Sequence, residues 1–456
     1  MRKPLFFVTL SLALTLPGYS QVLPVEPLPQ VVAPITERVQ RQAERLQQAR
    51  QQAQNQKLLQ QLAEKAALPD PLTALPKTLD VLSSSGQLRW REVEVENGFR
   101  AVEREWLLLL SAVEWQQLSV RWPQLPAYVQ AQDTLDALGL LLITLKVPAR
   151  LDSSVLLSQQ FNAELAALAG RNHLYQPQAA TVAPAAAAAV PTAMCSVPVT
   201  LGMVDTAIAL QHPALAQQTG RLSIVQQNFL PADMAQSYGH GTAVAGVLAA
   251  QQHNNTALLP KLTLYSASAF YPSNSYQQSA TLAHVLQALN YLVGQQVNVI
   301  NMSLTGPDNP VLAATVARLA KKQVILVAAA GNGGPAAAPL YPAAYPQVLA
   351  VTAVDSQAQL YRWANQGDYV DFAALGVKVP ALSATGDWAV QSGTSLAAPV
   401  VSAAVACLRA LTPTTTFGQI KQQLIQQARD LGEPGKDKQF GFGLMAAPLK
   451  TQLQSQ

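Results

Sequence analysis

Apolar and polar residues follow four successive patterns along the chain, and the first pattern predicts a helix. Residues 36–66 are rich in Gln, Ala, Glu and Arg and contain neither Pro nor Gly. The spacing predicts an amphipathic helix that packs on its own chain, with a coiled-coil seam as the alternative. Apolar residues recur at intervals of three and four at Ile35, Val39, Ala43, Leu46, Ala49 and Ala53.

The second pattern, over residues 88–176, predicts a small α/β domain. The stretch WREVEV alternates Trp90, Val93 and Val95 with polar residues, and Asn97 and Gly98 then offer a hairpin turn. The runs EREWLLLL and LGLLLITLKVP are typical of buried strands. The stretch SSVLLSQQFNAELAALAG predicts one helix with a glycine near its C-terminal end.

The third region along the chain has no hydrophobic periodicity. Residues 177–194 read PQAATVAPAAAAAVPTAM, with no charge and no periodicity that a packed core could use. We interpret this segment as a linker between domains and as a good target for proteolysis.

The fourth pattern begins at residue 196 and predicts a parallel sheet. The runs VPVTLGMV, LTLYSASAF, VNVINMSL, VILVAAAG and VLAVTAV are short and apolar, and most of them are rich in β-branched residues. Helical patterns lie between several of them, as at residues 278–294 and 311–321. Buried strands that alternate with helices predict an α/β fold, a mostly parallel sheet covered by helices on both faces.

Composition narrows the class of protein. The chain has 456 residues, and this length predicts two or three domains. Apolar residues make up 49% of the chain and charged residues 12%, and the net charge is +4. The charge is too mild, and too evenly spread, to indicate nucleic-acid binding. Residues 1–20 combine a basic start, a short apolar run and small residues before Gln21, which predicts a cleaved signal peptide. We therefore expect a soluble, secreted or periplasmic protein without stable membrane insertion.

One serine is placed as a nucleophile would be. Ser395 follows Gly393 and Thr394 and opens a small-residue helical stretch. A serine hydroxyl needs a nearby base, and the base needs a third group that fixes its tautomer. In an α/β sheet such groups lie at the carboxyl ends of strands. Asp205 ends a predicted strand and His240 lies between two glycines at a predicted helix start, so we assign them these roles.

An acyl-transfer site also needs hydrogen-bond donors for the oxyanion that develops in the reaction. Asn332 follows the predicted strand VILVAAAG and lies between glycines, so its amide could point into a site at the strand end. Taken alone, this residue would be read as a turn former. The other four histidines have no comparable surroundings: His173, His212, His253 and His284.

These motifs resemble those of the subtilisin-like serine proteases, or subtilases. VDT around Asp205, GHGTAVAG around His240, AAAGNG around Asn332 and SGTSLAAP around Ser395 occur in that family's order. The stretches VINMSL, YPAAYPQVLAVTAVD and DLGEPGKDKQFGFGLMAA are also similar to the family, and the resemblance covers about residues 196–449. It implies a serine endopeptidase with an Asp-His-Ser triad, in which Asn332 and the Ser395 N–H stabilise the oxyanion.

The resemblance also implies a domain order, with the N-terminal part as a prodomain that assists folding and inhibits the enzyme. We expect polypeptide substrates and a monomeric enzyme. The predicted segments are 1–20 signal peptide, 21–87 Gln-rich helical segment, 88–176 α/β prodomain, 177–195 linker with the processing site, and 196–450 catalytic domain.

The substrate pocket departs from the family pattern. The family usually has two glycines after the Ser-Leu pair, whereas Thr305 precedes the glycine here, and Leu340 stands where a glycine is common. Both changes add bulk, so we expect a shallow pocket that favours a small residue, such as Ala, before the scissile bond (P1). The expected substrate-binding residues are Ser303, Leu304, Thr305, Gly306, Ala330, Gly331 and Leu340.

The two cysteines offer one disulfide in an oxidising compartment, or two separate buried thiols. Cys195 precedes the first strand of the subtilase-like region, and Cys407 lies on the helix that Ser395 begins. In the fold that the resemblance implies, these two elements are close, which favours the disulfide. We name no metal ligands and expect no cofactor, since no loop is acidic enough to hold calcium.

Two other functions compete with the protease. A binding or chaperone-like protein that kept the fold would be expected to have lost at least one of the four site residues. A serine esterase would need G-x-S-x-G and the order Ser, Asp, His, whereas Ser395 comes last and lies in GTSLA. A zinc protease would need H-E-x-x-H, which the sequence lacks.

Overall fold

The structure, a computed structural model, describes residues 76–178, 192–216, 221–251, 257–273 and 277–450, and the backbone of residues 180–184. The predicted signal peptide and the predicted helix at residues 36–66 lie outside the described residues. Below, the N-terminal domain is residues 76–178, the C-terminal domain is residues 192–450, and the arm is residues 179–194.

An antiparallel sheet and three short helices build the N-terminal domain. Its core packs helix side chains, among them Leu118 and Leu157, against Trp106 and Leu108 of the sheet. The strands are β1 (Thr78–Leu82), β2 (Leu88–Glu94), β3 (Arg100–Leu110), β4 (Val129–Leu135), β5 (Leu140–Lys146) and β6 (Gly170–Pro177). The helices are α1 (Ala112–Arg121), α2 (Ser154–Gln160) and α3 (Ala163–Leu168).

The predicted hairpin turn between β2 and β3 is present, but other details differ from the sequence-based prediction. The domain begins before residue 88, because β1 pairs antiparallel with β2. The single helix predicted in SSVLLSQQFNAELAALAG is two helices. Asn162 has φ 148°, and its side chain accepts a hydrogen bond from Leu165 N and so starts α3 separately.

The segment predicted as an unpatterned linker contains a strand. β7 (Ala180–Pro184) pairs antiparallel with a C-terminal strand, and Pro177 still belongs to β6. The composition of this segment gives no sign of the strand, because the pairing depends on a partner more than 200 residues away in sequence.

The C-terminal domain is the predicted α/β unit. The strands are β8 (Val199–Asp205), β9 (Leu222–Asn228), β10 (Leu262–Ser268), β11 (Tyr271–Pro272), β12 (Gln278–Thr281), β13 (Val299–Met302), β14 (Leu304–Thr305), β15 (Ile325–Ala329), β16 (Val348–Val354), β17 (Phe372–Leu375), β18 (Val379–Leu382), β19 (Trp388–Ser392) and β20 (Leu444–Met445). Eight of them form one sheet in the order β20-β17-β16-β15-β13-β8-β10-β9, in which neighbouring strands run parallel. The helices are α4 (Pro213–Ala216), α5 (Gly239–Ala249), α6 (Leu282–Gly294), α7 (Pro310–Lys321), α8 (Thr394–Leu411) and α9 (Phe417–Gln427).

Helices cover the parallel sheet on both faces. One apolar cluster contains side chains of α5, α8 and α9, and a second contains side chains of α6 and α7. β16 is buried over its whole length, as a central strand covered on both faces should be. Among the described helices, only α8 is long and apolar enough to cross a membrane, but 83% of it is buried, as is usual for a core helix.

The N-terminal domain joins the C-terminal domain through β6. This strand pairs with β3 of its own domain and with β12 and β14 of the other, so one nine-stranded sheet spans both domains. The second apolar cluster also includes Leu107, Leu138 and Leu142 of the N-terminal domain. The last residues of the N-terminal domain are thereby led to the carboxyl ends of the parallel strands.

Candidate active site

Asp205 and His240 form a buried pair at the carboxyl end of β8. Asp205 is the last residue of β8, and its Oδ1 lies 2.7 Å from His240 Nδ1. The same oxygen accepts a hydrogen bond from Thr206 N at 2.7 Å, which fixes the carboxylate. With Nδ1 as the proton donor in this pair, His240 Nε2 is left free to act as a base.

A glycine explains how His240 comes so close to the strand end. A side chain on Gly241 would place its Cβ 2.2 Å from the carbonyl oxygen of Thr206, so only glycine fits here. The close approach lets Gly241 N donate a hydrogen bond to Thr206 Oγ1 at 2.7 Å. The first turn of α5 is thereby fixed against the end of β8.

Ser395 is the second residue of α8 and is fully buried. Neither its Oγ nor His240 Nε2 has a hydrogen-bond partner among the described residues, although both atoms are buried. These are the two atoms between which a triad would transfer a proton. Ser395 N is also among the first N–H groups of α8, where the helix favours negative charge.

Pro399 has a specific effect on Ser395. In an α-helix the N–H of residue 399 would bond to the carbonyl of residue 395, and proline has no N–H. The freed Ser395 carbonyl instead accepts a hydrogen bond from Ser303 Oγ at 2.7 Å. Ser303 Oγ in turn accepts from Asn301 Nδ2 at 2.9 Å, so the start of α8 is tied to the end of β13.

The amide of Asn332 is held in one orientation. Its Oδ1 accepts hydrogen bonds from Thr394 N at 3.1 Å and from Thr394 Oγ1 at 3.0 Å. The donor nitrogen, Nδ2, therefore points to the side where Ser395 N lies. Two donors that converge on one point are what an oxyanion site requires.

The carbonyl group of Gln178 occupies that point. Its oxygen accepts hydrogen bonds from Asn332 Nδ2 at 2.8 Å and from Ser395 N at 3.2 Å. Gln178 N donates to the carbonyl of Ser303 at 3.3 Å. The Gln178 carbonyl thus lies where the sequence predicts that a substrate carbonyl is held. Sequence reasoning missed Gln178, because no local feature of HLYQPQAA marks it.

The residues before Gln178 form the central strand of three. β6 lies between β12 and β14, so the chain approaches the site as a paired β-strand. Leu304 and Thr305, which the sequence predicts to bind substrate, pair here with residues of β6. The pairs are Leu304 with Pro177, Thr305 with Gln176, Ala280 with Tyr175 and Thr281 with Leu174.

Tyr175 is the deepest anchor of this strand. The side chain is fully buried, and its hydroxyl donates a hydrogen bond to the carbonyl of Pro307 at 3.0 Å. Its ring lies over Gly306, where an added Cβ would come within 2.5 Å of the ring. Gly306 therefore contacts a residue three positions before Gln178, whereas the sequence placed it beside P1.

The comparison with protein families agrees with this geometry. A model of the subtilase family matches residues 198–443, which is more than half of the chain.

The chain belongs to the subtilase family.

Individual relatives are similar over a little under half of the chain. The minor extracellular protease Epr of Bacillus subtilis is 35% identical over 211 residues, 45% of this chain and 32% of that protein. The thermostable alkaline protease of Halalkalibacterium halodurans is 34% identical over 217 residues, 47% of this chain and 58% of that protein. Subtilisin E of Bacillus subtilis is 33% identical over 199 residues, 42% of this chain and 51% of that protein. The matched stretch thus spans between about a third and three fifths of each relative.

Leu340, expected to narrow the P1 pocket of this subtilase, lies against Gly331. Its Cδ1 lies 2.9 Å from where a Cβ on Gly331 would be, so the side chain packs over the strand end. The residue whose carbonyl lies at the two donors is Gln178, which is larger than the alanine that the pocket was expected to favour. The Gln178 side chain turns back, and its Oε1 accepts a hydrogen bond from Asn332 N at 3.0 Å. Ala330, which was also expected in the pocket, is buried.

Three titratable groups of this subtilase lie where the two domains meet. Asn309 Nδ2 donates to His173 Nδ1 at 3.0 Å, and burial, followed by the nearby Arg171 guanidinium, lowers the pKa of His173 to about 4. Burial lowers the pKa of His284, beside Trp90, to about 4. Burial raises the pKa of Glu92, which accepts hydrogen bonds from Tyr271 and Ser273.

Cys195 and Cys407 are bonded to each other in the structure, with Cα atoms 6.0 Å apart. The bond joins the end of the arm to α8, the helix that carries Ser395. In the part of the chain that the structure describes, no three His, Cys, Asp or Glu side chains group as metal ligands would.

Proposed function

We propose that this subtilase is a secreted or periplasmic serine endopeptidase, made as a zymogen, whose first substrate is its own Gln178–Ala179 bond. One observation carries the proposal. The Gln178 carbonyl oxygen accepts hydrogen bonds from Ser395 N at 3.2 Å and from Asn332 Nδ2 at 2.8 Å. A carbonyl polarised by two such donors, next to an unpaired serine hydroxyl, is poised for nucleophilic attack.

The proposed reaction follows from the positions of the atoms. His240 Nε2 takes the proton of Ser395 Oγ as that oxygen attacks the Gln178 carbonyl carbon, and Asp205 stabilises the resulting imidazolium. The negative charge on the former carbonyl oxygen is held by Ser395 N and Asn332 Nδ2. His240 then gives its proton to the departing nitrogen of Ala179, which leaves an ester on Ser395. Water, deprotonated by His240, hydrolyses the ester.

After this cleavage we propose that the N-terminal domain remains bound and inhibits the enzyme. β6 fills the groove that a substrate would need, and Tyr175 fills its deepest part. A large apolar contact with α6 and α7 adds to this hold. The proposal of secretion rests on the basic and apolar start of the sequence, and one relative is named an extracellular protease.

For other polypeptides we propose a preference for P1 residues no longer than glutamine. Leu340 limits the depth of the pocket, which would suit alanine. The hydrogen bond from Asn332 N to the Gln178 side chain would suit glutamine. An aromatic P1 residue would have to displace Leu340 from Gly331.

Intact-mass spectrometry and N-terminal sequencing of the secreted protein test the proposal. Wild type is expected to give a mature chain that starts at Ala179, together with a fragment that ends at Gln178. Ser395→Ala should keep the bond intact, while the exposed serine control Ser356→Ala should be processed as wild type is. Processing of Ser395→Ala at the same bond and rate would overturn self-cleavage. Processing of neither protein would favour a binding protein that kept the fold.

A further inference from the structure

The chain beyond Gln178 is also bound as a strand. β7 pairs antiparallel with β19, which forms a hairpin with β18, so these three make a small separate sheet. The pairing starts at Ala180, the second residue after the proposed scissile bond, opposite Ser392. It continues to Pro184, opposite Ala389. The arm therefore occupies the side of the site that receives residues after a scissile bond, the primed side.

The far end of the arm is fixed to the C-terminal domain. Met194 N donates to the Leu258 carbonyl at 2.8 Å, and the Met194 carbonyl accepts from Leu449 N at 3.3 Å. The next residue, Cys195, is bonded to Cys407. Cleavage after Gln178 would separate the N-terminal domain from the chain, but it would leave the arm covalently attached close to β19.

We propose that the arm stays on β19 after cleavage and acts as a tethered competitor for the primed side of the active site. This inference rests on the proposed function. Substrates whose chain continues past the scissile bond must displace β7 before they can pair with β19. Substrates with no residues beyond that bond are not affected.

The tether makes a weak contact effective. Five strand residues without a covalent link would bind weakly, since an isolated pair of short strands is marginal in water. A short covalent tether raises the effective concentration of such a segment to about the millimolar range. Without β7, moreover, one edge of β19 would present unpaired N–H and C=O groups, which favours rebinding of a strand.

A double substitution in the arm tests the proposal. In an antiparallel pair the ladder bonds alternate along a strand. Thr181 faces Gln391 and Ala183 faces Val390, because the register shifts by one residue between them. Since Gln391 and Val390 are neighbours on β19, one of the two pairs is a hydrogen-bonded pair. Thr181→Pro with Ala183→Pro removes an N–H at both positions and should release the arm. Ala187→Pro, past the end of β7, is the matched control.

Two substrates with the same residues before the bond separate the possible outcomes. One ends in p-nitroaniline directly after His-Leu-Tyr-Gln-Pro-Gln, so it has no primed residues. The other is an internally quenched peptide that continues with Ala-Ala-Thr-Val-Ala-Pro. The double variant should cleave the long peptide with a kcat/KM at least fivefold above that of wild type and of Ala187→Pro. All three enzymes should cleave the p-nitroanilide within twofold of one another.

The outcomes distinguish this inference from the proposed function. Absence of p-nitroanilide cleavage in mature wild type from which the N-terminal domain has been removed would refute the endopeptidase itself. Normal p-nitroanilide cleavage with an unchanged rate on the long peptide would refute only the tethered competitor. A mature N-terminus beyond Pro184 would also refute it, because the competing strand would be gone. If the double variant matures too slowly on its own, a trace of wild type can cleave it.

Hydrogen exchange on mature wild type gives a measurement that does not depend on the variant. The amides of residues 180–183 and of residues 388–392 should be protected together, and a long substrate-like peptide should remove the protection of 180–183 only. Rapid exchange of residues 180–183 in the absence of peptide would refute the proposal.

Discussion

The chain enters and leaves the candidate active site as two strands that are bound in different ways. β6, before Gln178, lies between two strands of the C-terminal domain and is anchored by the buried Tyr175. β7, after Ala179, pairs along one edge with the β18–β19 hairpin. Tight binding on one side therefore comes from packing and burial, while on the other side it depends on a covalent tether. Substitutions in the two strands should have effects of different size and kind.

The largest effect is expected from Tyr175→Ala. Loss of a buried aromatic side chain costs about 3–5 kcal/mol, so the cleaved N-terminal domain should leave the enzyme faster by a factor on the order of 10² to 10⁴. Release is measured by size-exclusion chromatography or from the recovery of p-nitroanilide cleavage. Val120→Ala, at a position that is 76% exposed in the same domain, is the control and should leave release unchanged. Equal release rates in the two variants would mean that β6 is no better anchored than β7.

Asn332→Ala should separate chemistry from binding. The variant loses one of two donors to the oxyanion but keeps the pairing of β6 and β7. We expect kcat on the p-nitroanilide to fall by about 10²- to 10³-fold with a much smaller change in KM. The precursor should also accumulate uncleaved. A variant that retained wild-type kcat would show that the amide of Asn332 does not stabilise the transition state.

The binding of the cleaved N-terminal domain should depend on pH through the interface that holds β6, whereas the binding of β7 should not. His173 and His284 have pKa values of about 4 when the domains are together, and near 6.5 once separated. Well above pH 6.5 both histidines are neutral, in the complex and in the separated domains. As the pH falls from 6.5 towards 4, the separated domains bind protons that the complex excludes, so the complex weakens. The raised pKa of Glu92 acts in the opposite direction, since its protonated form is favoured in the complex.

His173→Gln isolates one contribution. The glutamine side chain can still accept a hydrogen bond from Asn309 but cannot be protonated. Between pH 7.5 and 5.5 each histidine should accelerate release of the cleaved domain by about tenfold, and this variant should lose about a tenfold factor. Around His173 the charged groups are Arg171, Glu96 and Asp308, and none of them changes in the variant. An identical pH profile in the variant and in wild type would show that His173 is not buried by the contact.

How much could be predicted from the sequence depends on whether a residue's role is local. Asp205, His240, Asn332 and Ser395 each stand at a strand end or a helix start, beside small residues that permit close packing, so their motifs could be read directly. Gln178 has no such signal, because its position in the site results from the register of β6 between two distant strands.

The contact that Gly306 makes also depends on the pairing of distant strands. The sequence predicted that this glycine binds substrate next to P1. In the structure it lies under the ring of Tyr175, because β14 runs antiparallel to β6 and carries Gly306 away from Gln178. β7 was missed for a similar reason, since an Ala- and Pro-rich segment becomes a strand only through its partner.

A smaller effect than that of Tyr175→Ala is expected from Tyr175→Phe, which tests one hydrogen bond of the β6 contact. The ring and its packing over Gly306 remain, and only the hydrogen bond to the Pro307 carbonyl is lost. A buried carbonyl without its donor costs about 1–3 kcal/mol, so release of the cleaved domain should accelerate by about 5- to 100-fold, less than in Tyr175→Ala. The same ratio should appear when p-nitroanilides with Tyr and Phe at the fourth position are compared by kcat/KM. If the substrate with Phe is cleaved as well as the substrate with Tyr, the pocket recognises only the shape of the ring. The hydroxyl then contributes nothing to the tighter binding of β6 relative to β7.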